Sequence, residues 1–100
     1  MTSSEEEIKK AIQDYIAKAG GVHAGWYVGT SRHPRKALFE QHRVARSGDW
    51  WLFKRAASSA VAHDVENYFV RVVGTDGWTD GEASEADYVY AYRKNAQTCP

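Results

Sequence analysis

The side chains best suited to chemistry are spread over the middle of the sequence and are of three types. Tyr27 and His42 can relay a proton, and a carboxylate, Glu66, follows inside an apolar helical pattern. Between them lies a basic run that contains the cations Arg32, Arg35 and Lys36. Together these groups suit a reaction at a phosphate, provided that the fold brings them to one cleft.

Charge is unevenly distributed, although the formal net charge is zero. Between positions 30 and 55, seven Lys and Arg stand against two acids, a balance of +5. Between positions 64 and 87, seven acids stand against Arg71, a balance of −6. The first block could meet a nucleic acid, since phosphate neutralisation dominates that affinity. Alternatively, the two blocks face each other or are simply solvated.

The length of 100 residues predicts one domain with a single core. The lone Cys99 has no disulfide partner, and the acidic first residues lack the basic and apolar regions of a signal peptide. No apolar stretch approaches the roughly 20 residues that span a membrane. We therefore expect a cytoplasmic protein without a membrane partner; the oligomeric state stays open.

Periodicity predicts the elements that must position these side chains. Ser3 and Ser4 each precede a Glu by three residues, a capping-box signal for a helix that ends at Gly20–Gly21. Positions 25–30 favour a strand, and Pro34 begins a short helix to about position 42. Positions 50–55 favour a second strand, and its apolar residues on both faces indicate that it is largely covered.

A third helix is predicted after Ser58 or Ser59, with an inner stripe of Val61, Val65, Tyr68, Phe69 and Val72. An acidic, Gly-rich loop covers positions 74–87. A last strand places Tyr88, Tyr90 and Tyr92 on one face. The prediction is an α+β fold in the order α-β-α-β-α-β, with a three-stranded, mostly antiparallel sheet packed with three helices. The tyrosine row would line the more open face.

The run Tyr27-Val28-Gly29, followed by Leu38, His42 and Glu66, resembles the GIY-YIG nuclease superfamily. In that family a strand ends in Tyr-hydrophobic-Gly, and a basic turn and a helix with an Arg-Leu step and a later His follow. A further helix supplies a metal-binding Glu. The resemblance covers about positions 26–70 and implies a metal-dependent endonuclease that acts on nucleic-acid phosphodiesters.

The resemblance also implies roles for particular residues. Tyr27 and His42 would act in proton transfer, and Glu66 would bind Mg²⁺ or Mn²⁺. The phosphate would be contacted by Arg32, Arg35 and Lys36.

The sequence departs from the family pattern at two places. Ala37 stands where the family has a phosphate-holding Arg. The first half of the name motif should lie on a strand just upstream of Tyr27, where this sequence predicts a helix. If the last strand pairs beside Tyr27, then Tyr90 takes the place of the missing tyrosine, and it is therefore a further candidate catalytic residue.

Each candidate also has a structural explanation. Glu66 could be a partly buried acceptor for an Arg or Tyr, Tyr27 could serve packing, and His42 could favour a helix C-terminus. The basic run could be a solvated turn. Two other functions therefore stay open: a non-catalytic nucleic-acid-binding module, which Ala37 favours, and a protein-interaction domain that uses the tyrosine row and the acidic loop.

Overall fold

Helices and strands alternate along the chain in the computed structural model, which describes residues 2–77 and 86–98. The helices are α1 Glu5–Lys18, α2 Pro34–Lys36 and α3 Ser59–Asn67. Helices α2 and α3 continue directly as π-helical segments, Ala37–Gln41 and Tyr68–Val73. The strands are β1 Trp26–Ser31, β2 Trp51–Arg55, β3 Asp76–Gly77 and β4 Tyr88–Arg93.

The four strands of the described residues form one sheet in the order β2-β4-β1-β3. Strand β4 is antiparallel to both β1 and β2, whereas β3 is parallel to β1. The predicted α+β class is confirmed, but the predicted count of three strands is wrong. The extra strand, β3, lies in the segment predicted as a loop and pairs through Asp76 and Gly77. A two-residue strand carries too little periodicity to be seen in the sequence.

Helix α1 begins at the predicted capping box. The Ser4 side chain accepts a hydrogen bond from the Glu7 backbone N–H at 3.2 Å, and the Glu7 carboxylate accepts one from the Ser4 N–H at 2.9 Å. Three isoleucines at helical spacing, Ile8, Ile12 and Ile16, are at most 1% exposed. The predicted amphipathic helix is confirmed.

Helix α3 is capped by Ser58, whose side chain accepts a hydrogen bond from the Val61 N–H. Val65 in α3 and Phe69 in the π-helical segment that follows it are completely buried. The predicted inner stripe fails at Val72, whose side chain is 72% exposed. The failure follows from the π-helical winding, because a wider turn rotates later residues away from the face that a regular helix would bury.

The two faces of the sheet are covered by different elements. The face named here the α1/α3 face carries Trp26, Val28, Val89 and Ala91 and packs against the first and third helices. The other, named the tyrosine face, carries Tyr27, Tyr90 and Tyr92 and packs against Ala37, Leu38 and Val44.

The tyrosine face is not open, in contrast to the prediction. Tyr90 is 5% exposed and Tyr92 is fully buried, because the segment from α2 to Val44 crosses this face. Tyr88 stays half-buried at the end of the row. The prediction of a largely covered second strand is also wrong: Trp51 and its neighbours are half-exposed since β2 is an edge strand.

Within the part of the chain that the structure describes, none of the helices has the length and apolar character of a membrane span. The other acids of the predicted loop, Asp80, Glu82 and Glu85, and the terminal Cys99 lie outside the described residues.

Candidate functional site

His42 reaches the tyrosine face because of an unusual helix geometry. Helix α2 changes to π-helical winding at Ala37, and the His42 N–H donates to the Ala37 carbonyl at 2.9 Å. Arg43 then adopts a left-handed backbone conformation, with φ of 58°, which ends the helix. The imidazole consequently lies 4.7 Å, centroid to centroid, from the Tyr27 ring, with the two ring planes tilted by 48°. Single π-helical turns occur frequently at functional sites.

Both ring nitrogens of His42 are bonded to tyrosine hydroxyls. Nε2 lies 2.7 Å from the Tyr90 hydroxyl, and Nδ1 lies 3.1 Å from the Tyr92 hydroxyl. A neutral imidazole has one N–H donor and one acceptor nitrogen, so one tyrosine donates to the ring and the other accepts from it. The three groups form a continuous path along which a proton can be relayed.

Tyr90 crosses from β4 over β1 at the position of Gly29. The two residues are direct partners in the antiparallel ladder, so the pairing on which the candidacy of Tyr90 depended is present. A Cβ atom at Gly29 would lie 2.5 Å from the Tyr90 hydroxyl oxygen. Gly29 is therefore required for this close approach, whereas its φ lies outside the left-handed region and needs no glycine.

Glu66 is the buried carboxylate of the site. Its side chain is 3% exposed, and the nearest polar partner is Nδ1 of His63, 3.6 Å from Oε1, which is too long for a hydrogen bond. No described residue donates a hydrogen bond to Glu66. The described side-chain polar atoms that are fully buried without a partner are His63 Nδ1 and Thr75 Oγ1, so the Glu66 oxygens, which are not among them, keep a small contact with solvent. The predicted alternative, a structural acceptor for an Arg or Tyr, is therefore not seen among these residues.

The negative charge of Glu66 acts on two of the tyrosines. Burial raises the pKa of Glu66 to about 7. Burial and then the negative charge of Glu66 raise the pKa of Tyr27. The pKa of Tyr90 is raised well above its usual range by burial, then by the tyrosine neighbours Tyr27 and Tyr92, and then by Glu66. Both hydroxyls are therefore neutral at physiological pH, and that of Tyr90 lies within hydrogen-bond distance of His42.

We name Tyr27, His42, Glu66 and Tyr90 the catalytic cluster. Strands β1 and β4, the π-helical end of α2 and helix α3 each supply one of its members. Three of the candidate catalytic residues, Tyr27, His42 and Tyr90, are thus in contact on the tyrosine face, whereas Glu66 lies on α3, which packs against the other face, and is linked to the tyrosines through its charge.

The three candidate phosphate-binding residues lie elsewhere. Arg32, Arg35 and Lys36 are exposed and line a groove of about 670 Å³, which we name the basic groove. Its other lining residues are His33, Pro34, Glu40, Phe53 and Tyr88, and no member of the catalytic cluster is among them. Ala37, at the position of the family's Arg, is 3% exposed and packs against the tyrosine face. The basic run therefore lies between Tyr27 and His42 in the sequence, but its side chains line a groove to which the catalytic cluster contributes no residue.

Sequence reasoning missed three contributors. Tyr92 was placed on the right face, but its bond to His42 depends on how α2 crosses the sheet. His63 lies three residues before Glu66, a spacing that puts both on one helix face and could have been noticed. Phe53, in the basic groove, was assigned to packing alone.

The described residues offer few ligands for a metal ion. Among the described residues, no three His, Cys, Asp or Glu side chains are grouped to hold a metal. Mg²⁺ keeps several waters, however, and one or two carboxylates suffice for it in phosphate chemistry. Glu66 can meet that requirement, because its carboxylate accepts no hydrogen bond from a described residue and its oxygens keep a small contact with solvent.

Comparisons with protein-family models, curated proteins and solved structures find no match to this chain. The resemblance to GIY-YIG nucleases therefore stays a prediction, and function must be inferred from the geometry of the site.

Proposed function

We propose that this domain is a metal-dependent endonuclease-like phosphodiesterase of the GIY-YIG type, with the catalytic cluster as its active site. The observation that carries the proposal is the contact of Tyr27, His42 and Tyr90 on the tyrosine face, together with a buried Glu66 whose charge acts on Tyr27 and Tyr90. A structural explanation accounts for each residue alone. It does not account for a Tyr90–His42 pair that can carry a proton within reach of the charge of a buried carboxylate.

The proton transfers follow from the hydrogen bonds. The Tyr90 hydroxyl binds the attacking water and passes a proton to Nε2 of His42, and Tyr92 holds the opposite nitrogen in the tautomer that can accept it. Tyr27 donates its hydroxyl hydrogen to a non-bridging phosphoryl oxygen. The raised pKa of Tyr27 keeps that donor protonated at neutral pH.

Glu66 would hold Mg²⁺ or Mn²⁺ in this scheme. The metal, when bound, supplies neutralisation of the charge on the phosphoryl oxygens and lowers the pKa of a coordinated water. The cation that the family takes from its helical Arg has no counterpart at Ala37, so a low turnover is expected.

The test is a Mg²⁺ and Mn²⁺ titration of the ¹⁵N-labelled protein, combined with cleavage assays on DNA and RNA. Wild-type protein should show amide shifts around Glu66 and metal-dependent cleavage, and Glu66→Gln should lose both. Glu40→Gln is the matched control, since this exposed carboxylate lies in the basic groove. Equal shifts in both variants, or no cleavage of any substrate, would refute the enzyme.

A second candidate is a nucleic-acid-binding module without catalysis. It is favoured by the buried Ala37 in place of a cation and by the basic groove, whose three cations lie outside the catalytic cluster. Binding that weakens steeply with salt, unaffected by Glu66→Gln and without cleavage, would select this candidate over the enzyme.

A further inference from the structure

We propose that the basic groove binds a single-stranded segment of nucleic acid, with bases stacked on Phe53 and Tyr88 and phosphates on Arg35 and Lys36. The inference deepens the proposed function, on which it rests for the place of cleavage, by naming the class of substrate.

The aromatic floor of the groove is built by two neighbouring strands. Phe53 on β2 and Tyr88 on β4 project from the tyrosine face, where the register makes them diagonal neighbours. Their ring centroids are 6.0 Å apart with an interplanar angle of 71°. Both side chains are half-exposed, whereas Tyr90 and Tyr92 on the same face are buried. Exposed aromatic surface in a charged groove suits unpaired bases, because every base has a face that can stack.

The cations of the groove are available to phosphates. Arg35 and Lys36 are exposed, and neither forms an ion pair with a described residue. The Arg35 guanidinium lies over the Phe53 ring, with its carbon 5.5 Å from the ring centroid, so a bound base would stack beside or on the guanidinium and carry its phosphate next to that charge. Glu40 is the one acid among the described lining residues. The charge therefore favours a polyanion.

A duplex cannot use this floor, since its bases are already stacked and their faces are hidden. A single strand can place its bases on the rings while its phosphates meet the cations. Tyr88 precedes Tyr90 by two residues on the same face of β4, which is about 7 Å along the strand. The neighbouring nucleotides of a bound strand would thus lead towards the catalytic cluster.

The test compares binding of a labelled single-stranded DNA and its duplex by fluorescence anisotropy, over a salt series. The wild type should bind the single strand at least about tenfold more tightly than the duplex. Phe53→Leu should weaken single-strand binding about tenfold and leave duplex binding unchanged. The control is Trp50→Leu, which alters an aromatic side chain that is 37% exposed and outside the groove.

Thermal unfolding establishes whether Phe53→Leu is folded. Arg35→Gln provides a second variant at an exposed position, and it should lower the slope of log affinity against log salt by about one. Equal affinity for single strand and duplex overturns the proposal. So does displacement of the DNA by a poly-glutamate peptide of equal charge, or a folded Phe53→Leu that binds like the wild type.

Cleavage measured in parallel separates the two proposals. Preferential single-strand binding without cleavage refutes the enzyme and supports the groove. Metal-dependent cleavage without single-strand preference refutes the groove and supports the enzyme.

Discussion

The two faces of the sheet are both buried, but they are buried by different chemistry. On the α1/α3 face, long amphipathic helices cover aliphatic side chains and Trp26, and that cluster's buried members are all apolar. On the tyrosine face, a short π-helical segment covers three tyrosines, and hydroxyl groups meet the imidazole of His42. One face stabilises the fold by area removed from water. The other keeps polar groups at fixed positions, which an apolar core does not need.

Glu66 lies between these two environments. It belongs to α3, whose neighbours Val65 and Phe69 complete the apolar core, yet its charge acts on Tyr27 and Tyr90 of the opposite face. A core position next to Val65 would normally hold an apolar residue, because a buried charge without a partner is destabilising. The comparison therefore singles out Glu66 as an ionisable group whose burial should lower stability.

The largest effect should come from the α1/α3 face. Phe69→Ala removes a fully buried ring from the core and should lower the free energy of unfolding by about 3–5 kcal/mol. Urea denaturation followed by circular dichroism measures the change. Val72→Ala, at an exposed position on the same π-helical segment, should stay within about 0.5 kcal/mol of the wild type. Similar losses in both variants would show that the π-helical winding is wrong.

Glu66→Gln should show by how much the buried carboxylate lowers the free energy of unfolding. The pKa of Glu66 is raised from 4.5 to about 7, so the folded state binds this proton more tightly than the unfolded state does. The free energy of unfolding of the wild type should therefore fall as pH rises from about 4.5 to 7, by on the order of 3 kcal/mol.

The Glu66→Gln variant should lack this fall, and it should be more stable than the wild type at pH 8 but equal to it at pH 4. Denaturation curves at a series of pH values provide the measurement. Glu40→Gln, at an exposed position, should give no gain at pH 8. A wild type whose stability is constant between pH 4 and 8 would contradict the burial of this charge.

The smallest of the three effects on stability is expected at the contact of Gly29 and Tyr90. Gly29→Ala places a Cβ atom 2.5 Å from the Tyr90 hydroxyl, which forces the buried ring to move and should cost about 1–3 kcal/mol. The ring should lose its bond to His42, and cleavage should fall by more than stability explains.

Two-dimensional NMR of the tyrosine and histidine rings, with a cleavage assay, tests this prediction for Gly29→Ala. Gly25→Ala serves as the control, because nothing lies within 4 Å of a Cβ atom at Gly25. If Gly29→Ala kept the ring positions and the wild-type stability, Gly29 would have no part in setting Tyr90.

Much of the secondary structure could be predicted, since its signals are local. The capping box at Ser4, the isoleucines of α1, the Ser58 cap and the alternation of β4 each depend on residues within a few positions. The same locality explains the errors. Val72 was assigned by a regular helical period that the π-helical winding does not keep, and β3 is too short to show any period.

The candidate site was predicted as a list of residues and not as an arrangement. The resemblance supplied Tyr27, His42 and Glu66, and it required a tyrosine beside Tyr27 that no upstream strand offered. Tyr90 was a candidate only on the condition that the last strand pairs beside Tyr27, and β4 does pair with β1. The grouping of the basic run with that cluster has no such support, because those side chains line a separate groove.

The sequence by itself determined the caps, the strand alternation and the residue types that could serve a phosphate reaction. The tertiary structure alone decided that β4 lies between β1 and β2, that α2 buries Tyr90 and Tyr92, and that none of the described residues donates a hydrogen bond to Glu66. The reason is the range of the interactions. Caps and alternation act between near neighbours in the chain, whereas the His42–Tyr90 bond joins residues 48 positions apart. Burial and pairing over such distances depend on how all the elements pack together.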